Sequence, residues 1–231
     1  IPLKAMLDAG KYFLRKQKRS LGVSERELMR IAILSMGLDE LAPFKPEEKI
    51  IEYMLQDKNN SRLVSMPLND FADVTASESP APGGGSIAAY IGSLGISLGT
   101  MVANLSSHKK GWDDRWEEFS NWAEKGQQYK DELLRLVDAD TKAFNGIMNA
   151  MSLPKGTDEE KTARKKAIND ATKFAIEIPF KVMQVSYESM EVIKAMAETG
   201  NPNSVSDAGV GALCARSAVM GAFMNVRINA S

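Results

Sequence analysis

Apolar positions along this chain recur at three- and four-residue spacing, the period of a helix face. Clear alternation at two is absent, and no hairpin signal joins two strand-like runs. Residues 3 to 17 form a basic amphipathic stretch. Ser24 and Glu27 have capping-box spacing and open a helix to about Met36, with Gly37 as its stop. Pro46 opens a further helix, PEEKIIEYMLQ, with acids in its first turn as the helix dipole favours. The polar stretch DKNNSR, 57 to 62, marks a boundary between a short N-terminal unit (1–62) and a longer one (63–231).

The second unit opens with SPAPGGGSIAAY and a long uncharged helix over about 84 to 106. Trp112 to Met151 then reads as one helix, ended by SLPKG. Thr157 and Glu160 form a second capping box, and the helix they open runs to about Glu198. Pro179 lies inside it and predicts a kink, because proline lacks the backbone donor and clashes one turn back. Gly200, Asn201 and Pro202 stop it, and a last helix starts near Asp207. No solenoid-length repeat is found. The fold class is all-α, a bundle of long helices.

Composition narrows the function. The 231 residues are 44% hydrophobic and 26% charged, ordinary for a globular domain. A net charge of -1 gives no field toward nucleic acid or a membrane surface. The single cysteine, Cys214, excludes an internal disulfide and suits a reducing compartment, so a cytoplasmic location is expected. The single histidine, His108, argues against a Ser-His-Asp triad or a multi-histidine metal site. The sequence begins at Ile1 and ends in an apolar run, so it is expected to be a fragment of something longer.

The three glycines Gly83, Gly84 and Gly85 do not make a nucleotide loop. No lysine follows in Walker register, and FADVTASE before them is not strand-like. They still place free N–H groups at a helix start, where an anion or carbonyl can bind. The uncharged stretch Ser79 to Ser107 is long enough to span a bilayer, but serines, Thr100 and Asn104 recur through it. Gly95 and Gly99 suit close helix packing, so a buried central helix accounts for it better. Further on, Leu133, Asp140 and Ile147 repeat every seven residues beside a companion seam of Val137, Phe144 and Met151. Asp140 thus takes a core position among large apolar residues, where desolvation raises a carboxyl pKa. A structural role, hydrogen-bonding a neighbouring helix, is the alternative.

Three motifs occur in order: APGGGSIAAYIGSLGISLGTMVANL, LVDADTKAFNGIMNAMSLPKGTDEEKTARKKAI and GNPNSVSDAGVGALCARSAVMGAFMNVRIN. Together they resemble the cyclodeaminase domain of the formimidoyltransferase-cyclodeaminase family. Residues 1–62 resemble the linker that precedes that domain. The resemblance implies an intertwined helical homodimer, with a ring of dimers as the higher assembly. It also implies fusion to a formimidoyltransferase domain outside this sequence, and a helical tail beyond Asn229. The implied reaction converts 5-formimidoyltetrahydrofolate to 5,10-methenyltetrahydrofolate and ammonia, in histidine degradation. It needs no metal and no cofactor beyond the folate substrate. It does need a group that takes a proton from N10 and delivers one to the departing nitrogen.

Asp140 is the preferred shuttle, and Asp138, about 200° round the helix, is the alternative. Gly83, Gly84, Gly85 and Ser86 are candidate substrate contacts. Asp207 is either a helix cap or a folate contact. Asn225 and Asn229, four apart on one helix face, either bind pterin amides or form a polar ladder between helices. Lys109 and Lys110 are either a solvated turn or a grip on the glutamate tail. Lys161, Arg164, Lys165 and Lys166 are either a solvated face or a polyglutamate site. Two other functions stay open: a methenyltetrahydrofolate cyclohydrolase, and a non-catalytic helical assembly module.

Overall fold

The computed structural model describes residues 1–55 and 62–231, and among them every regular element is helical. The N-terminal unit holds α1 (Leu3–Lys16), α2 (Glu25–Ser35) and two single turns, α3 (Pro46–Lys49) and α4 (Ile51–Met54). A 3-10 turn, Leu63–Ser65, and α5 (Leu68–Thr75) lead to four long helices. These are α6 (Gly84–Ser107), α7 (Trp116–Met151), α8 (Asp158–Thr199) and α9 (Val205–Ala230). All of the polar boundary at 57–62 except Arg62 lies outside the described residues.

The expected helix after Pro46 is broken. Ile50 is extended (φ -96°, ψ 124°) and fully buried beside Met6, Met29 and Ala32. The main chain of Ile1 lies against the break, its nitrogen 2.7 Å from the Lys49 carbonyl oxygen and its carbonyl accepting the Ile51 N–H at 3.0 Å. Burying an isoleucine there outweighs one more turn of an exposed helix. The helix expected from Trp112 begins with a 3-10 turn, Asp113–Arg115, and Trp112 itself stacks on Phe119 with centroids 5.4 Å apart. α8 runs unbroken through Pro179. Both halves of the Thr157–Glu160 capping box are present. At Ser24 only the half that receives the Glu27 N–H forms, because Glu27 turns its carboxylate to Arg30.

In the bundle, α6 packs against α7, α8 and α9. Its core is Ile96 and Val102 of α6, Phe119, Leu133, Leu136 and Val137 of α7, and Val182, Val192 and Met196 of α8. The helix α9 is built differently, since its buried residues are Ala208, Gly211, Ala215, Ala218 and Ala222. Small residues let its backbone meet that of α6. A methyl placed on Gly95 would lie 2.8 Å from the Gly211 carbonyl oxygen, and the reverse holds for Gly211. The large side chains of α9 face outward, with Leu213 63%, Met224 64% and Ile228 71% exposed. By length and composition both Gly84–Ser107 and Pro202–Ala230 are apolar enough to cross a membrane, but α6 is mostly buried by its neighbours.

The N-terminal unit is seated on α6 and α7. The Gly22 carbonyl accepts from Asn104 Nδ2 at 2.9 Å and from Gln127 Nε2 at 3.1 Å. The Leu21 N–H donates to Ser120 Oγ at 2.9 Å, and Lys11 pairs with Glu124 at 2.6 Å.

Candidate active site

The glycines sit where α6 begins. Gly83 is the N-cap residue, and Gly84, Gly85 and Ser86 form the first turn, whose N–H groups lack helical acceptors. The middle of α7 passes this end and brings Asp140 to it. Ser86 Oγ lies 2.9 Å from Asp140 Oδ2, and the Ser86 main-chain N–H also donates to this carboxyl. A side chain at position 85 would overlap the Asp140 carboxylate, so only glycine lets the acid reach the helix end. Burial pushes the Asp140 carboxyl above the usual carboxylate range. The two bonds from Ser86 oppose that shift without cancelling it.

Asp140 lines a cleft of about 110 Å³ between the α6 start, α7, α8 and α9. Gly83, Gly84 and Gly85 form one wall, Thr141, Phe144 and Ile147 another, and Asn225 and Asn229 of α9 the third. Asp140 is the one ionisable residue lining it among the described residues.

Asn225 and Asn229 both have committed amide groups. Asn225 Nδ2 donates to the Gly221 carbonyl at 2.9 Å. Asn229 Nδ2 donates to the Ala175 carbonyl at 2.7 Å. Ala175 is four residues before Pro179, so its carbonyl has no helical N–H to accept from. Asn229 supplies the donor that the proline lacks and ties α9 to α8 beside the cleft. Each asparagine keeps its carbonyl oxygen and one amide N–H for a ligand.

Several candidate residues are placed elsewhere. Ser86, a candidate substrate contact, is fully buried behind Asp140 and is not a wall of the cleft. Asp138 faces another side of α7, accepting the Leu63 N–H at 2.8 Å with Arg62 4.0 Å away. It anchors the Leu63–Ser65 turn to α7 and does not reach the cleft, against its reading as the alternative shuttle. Lys109 and Lys110 follow the far end of α6, about 35 Å from Gly85 at 1.5 Å per residue. Lys109 rests over the Trp112 ring with Nζ 3.9 Å from its centroid. Asp207 is in the first turn of α9, about 27 Å along that helix from Asn225, and makes no cap bond. Neither lysine nor Asp207 lines the cleft. Phe144 and Met151 are 37% and 51% exposed, so the companion seam leaves the core after Val137.

Thr141 and Ala175 were missed from sequence. Thr141 follows Asp140 directly, and 100° per residue puts it at the edge of the cleft side, about 60° past Phe144. Ala175 could have been found from Pro179, four residues on.

The family model for formiminotransferase-cyclodeaminase matches residues 67–231, and that for the formiminotransferase domain matches residues 1–56. The chain belongs to the formiminotransferase-cyclodeaminase family. It is 39% identical over 230 residues to the formimidoyltransferase-cyclodeaminase of Gallus gallus, covering 99% of this chain and 42% of the relative. It thus spans less than half the length of the curated formimidoyltransferase-cyclodeaminases it matches. It is 38% identical over 163 residues to a methenyltetrahydrofolate cyclohydrolase of Methylorubrum extorquens, covering 71% of this chain and 78% of that protein. The crystal structure of a formiminotetrahydrofolate cyclodeaminase from Thermotoga maritima matches with a TM-score of 0.64 and 28% identity. That match covers 73% of this chain and 80% of the other. The cyclodeaminase part of this family member therefore includes the glycine turn and Asp140 together.

Proposed function

We propose that this chain carries a formimidoyltetrahydrofolate cyclodeaminase, with Asp140 as its proton shuttle. The observation that carries the reading is the Asp140 carboxyl, raised in pKa by burial and held on the glycine end of α6 at the wall of a cleft. Residues 63–231 form the catalytic unit. Residues 1–62 lead into it from a formimidoyltransferase domain, and residues 1–56 match that domain's own family model.

The formimidoyl group on N5 is an amidine, positively charged when protonated. N10 attacks its carbon, a new C–N10 bond forms, and the former C=N bond becomes a single bond to an amino group. The Asp140 carboxylate takes the N10 proton and returns it to that amino group. The C–N bond to the amino group then breaks and ammonia leaves. The positive charge stays on the methenyl carbon between N5 and N10. One proton is carried and one cation enters and leaves, so a single carboxyl suffices, with no metal and no redox cofactor. The carbonyl oxygens of Asn225 and Asn229 suit the donor-rich edge of a pterin.

A cleft of about 110 Å³ holds only the reacting end of a folate. The rest must lie along the surface or between chains. Lys155, Arg164 and Lys165 line a basic cavity at the α7–α8 turn. Met151, at that turn, is about 16 Å along α7 from Asp140. This cluster, in place of Lys109 and Lys110, is positioned for the glutamate tail of a polyglutamylated folate. The outward apolar side chains of α9 form the surface of a homodimer, since a helix that buries alanines and exposes leucine, methionine and isoleucine needs a second partner. The compartment is the cytoplasm.

The cyclohydrolase reading is favoured by one observation, the 38% identity to a named cyclohydrolase. Both activities share 5,10-methenyltetrahydrofolate, so parallel assays separate them. Ammonia and methenyl absorbance appearing from 5-formimidoyltetrahydrofolate, faster than methenyltetrahydrofolate is hydrolysed, is the expected result. Hydrolysis without ammonia release would assign the cyclohydrolase. A protein that does neither yet binds folate would serve assembly.

A further inference from the structure

We infer that the Ser86 hydroxyl is a positioning residue that holds Asp140 through Oδ2 while the other carboxyl oxygen gains and loses the proton on the side of the cleft. This rests on the reading of Asp140 as the shuttle. Ser86 Oγ is fully buried and lies 2.9 Å from Asp140 Oδ2, 3.1 Å from the Val137 carbonyl oxygen and 3.3 Å from Thr141 Oγ1. A hydroxyl has one proton to donate and two lone pairs that accept. While Asp140 is ionised, the carboxylate is the strongest acceptor in reach, and Ser86 donates to it. The N10 proton arrives from the cleft and returns to it, so it rests on the carboxyl oxygen away from Ser86, and Oδ2 stays an acceptor to which Ser86 keeps donating. That bond is stronger to the carboxylate than to the neutral carboxyl. A buried polar atom left without a partner is costly, and this contact keeps Oδ2 and the Ser86 hydroxyl paired in both proton states. The carboxyl therefore stays in one place while its charge changes, as a group that must take and return a proton requires.

The surroundings leave this job to Ser86. None of the other residues lining the cleft from the start of α6, from α8 or from α9 is ionisable. The ionisable residues nearest in sequence on the packed helices, Asp138, Lys142, Lys173, Glu177 and Arg227, do not line it. Of the described groups, only the Ser86 hydroxyl and main-chain N–H lower the Asp140 pKa against its burial. Removing the hydroxyl removes one of the two, so the carboxyl should hold its proton to higher pH.

The test uses the whole protein that carries this chain, comparing the parent with Ser86→Ala and Ser86→Cys. Cysteine keeps the side-chain bulk and gives up most of the hydrogen bond. Two readouts are taken. The first is kcat and KM against pH with 5-formimidoyltetrahydrofolate. The second, without substrate, is the infrared carbonyl band of the protonated Asp140 carboxyl against pH, identified by its loss in Asp140→Asn. Both variants should lose kcat roughly tenfold with KM nearly unchanged. The acid limb of the rate profile and the infrared midpoint should both move up by about one pH unit, the size of one charge-assisted hydrogen bond. An infrared midpoint that does not move in Ser86→Ala overturns the proposal, as does a parent-like midpoint in Ser86→Cys beside a shifted one in Ser86→Ala, which would assign the position to packing. If the parent turns over neither folate substrate, the proposed function fails, and the infrared midpoint alone still decides the role of Ser86.

Discussion

Asp138 and Asp140 are two residues apart on one helix and meet opposite surroundings. Asp138 accepts a main-chain N–H from Leu63, has Arg62 beside it, and lines a wide polar cavity. Asp140 lies against the glycine end of α6 with no counter-ion among the described residues, and its charge is opposed by burial. The same side chain is a tether on one face and, in the proposed function, a proton-transfer group on the other. What encloses the carboxyl decides its chemistry. The largest expected effect breaks this contrast directly. Asp140→Asn should reduce kcat by about 10² to 10⁴, the usual worth of a general acid–base, while Asp138→Asn stays within a few-fold of the parent. Stability should run the other way. A folded pKa raised above the free value means the folded state binds the proton more tightly, so the parent loses stability as pH rises from about 4 to the raised value. Asp140→Asn escapes that loss. Its melting temperature should exceed the parent's at neutral pH, and the gap should close below about pH 4. Equal melting temperatures across that range would mean that Asp140 is solvated and not raised.

The glycines sharpen the same comparison. A side chain at Gly85 overlaps the Asp140 carboxylate, whereas one at Gly84 meets Asn225 Nδ2 at 3.3 Å, a side-chain atom able to yield. Gly85→Ala should therefore push Asp140 off the helix end and lower kcat by about 10²-fold, as a misplaced catalytic group does. Gly84→Ala should cost less than tenfold, within what a small shift of Asn225 absorbs. The ratio of the two kcat values is the measurement. Equal losses would mean the turn acts through backbone shape and not through its contact with Asp140.

The long helices were legible because each carries its own punctuation. Thr157 with Glu160, Gly83 to Gly85 and the Gly200–Pro202 stop are local signals, and the helices begin and end within a residue or two of them. Asp140 was legible because its seven-residue spacing from Leu133 put it at a core position. The break at Ile50 was not, because it depends on Met6 and Met29 in other elements. That Lys109, Lys110 and Asp207 lie away from the cleft was hidden for a related reason. Proximity to a motif along the sequence says nothing about which end of a 36 Å helix a residue occupies. Asn225 and Asn229 were found by their spacing, but their roles needed the partner helix. The donor for Ala175 is missing because of Pro179, and only the fold brings Asn229 to it.

That last link supports a smaller and more specific prediction. Proline 179 leaves the Ala175 carbonyl without its helical donor, and Asn229 supplies one from α9 at 2.7 Å. Asn229→Ala removes the donor and should cost about 1–3 kcal/mol of stability, the usual penalty for a buried acceptor left unpaired. Pro179→Ala restores an N–H at the right place in α8, so the Ala175 carbonyl no longer depends on α9. Asn229→Ala made in that background should cost much less. The two sites act on one acceptor, so their effects cannot add. Denaturant unfolding of the four proteins measures the coupling, and about 1 kcal/mol or more is expected. Additive losses would show that Asn229 holds α9 by packing alone, and that the Ala175 carbonyl finds its partner in water. A coupling of the expected size would also explain how α8 continues through a proline at the wall of the cleft. The missing bond has been moved to the neighbouring helix, where it fixes the spacing of α8 and α9 around Asp140.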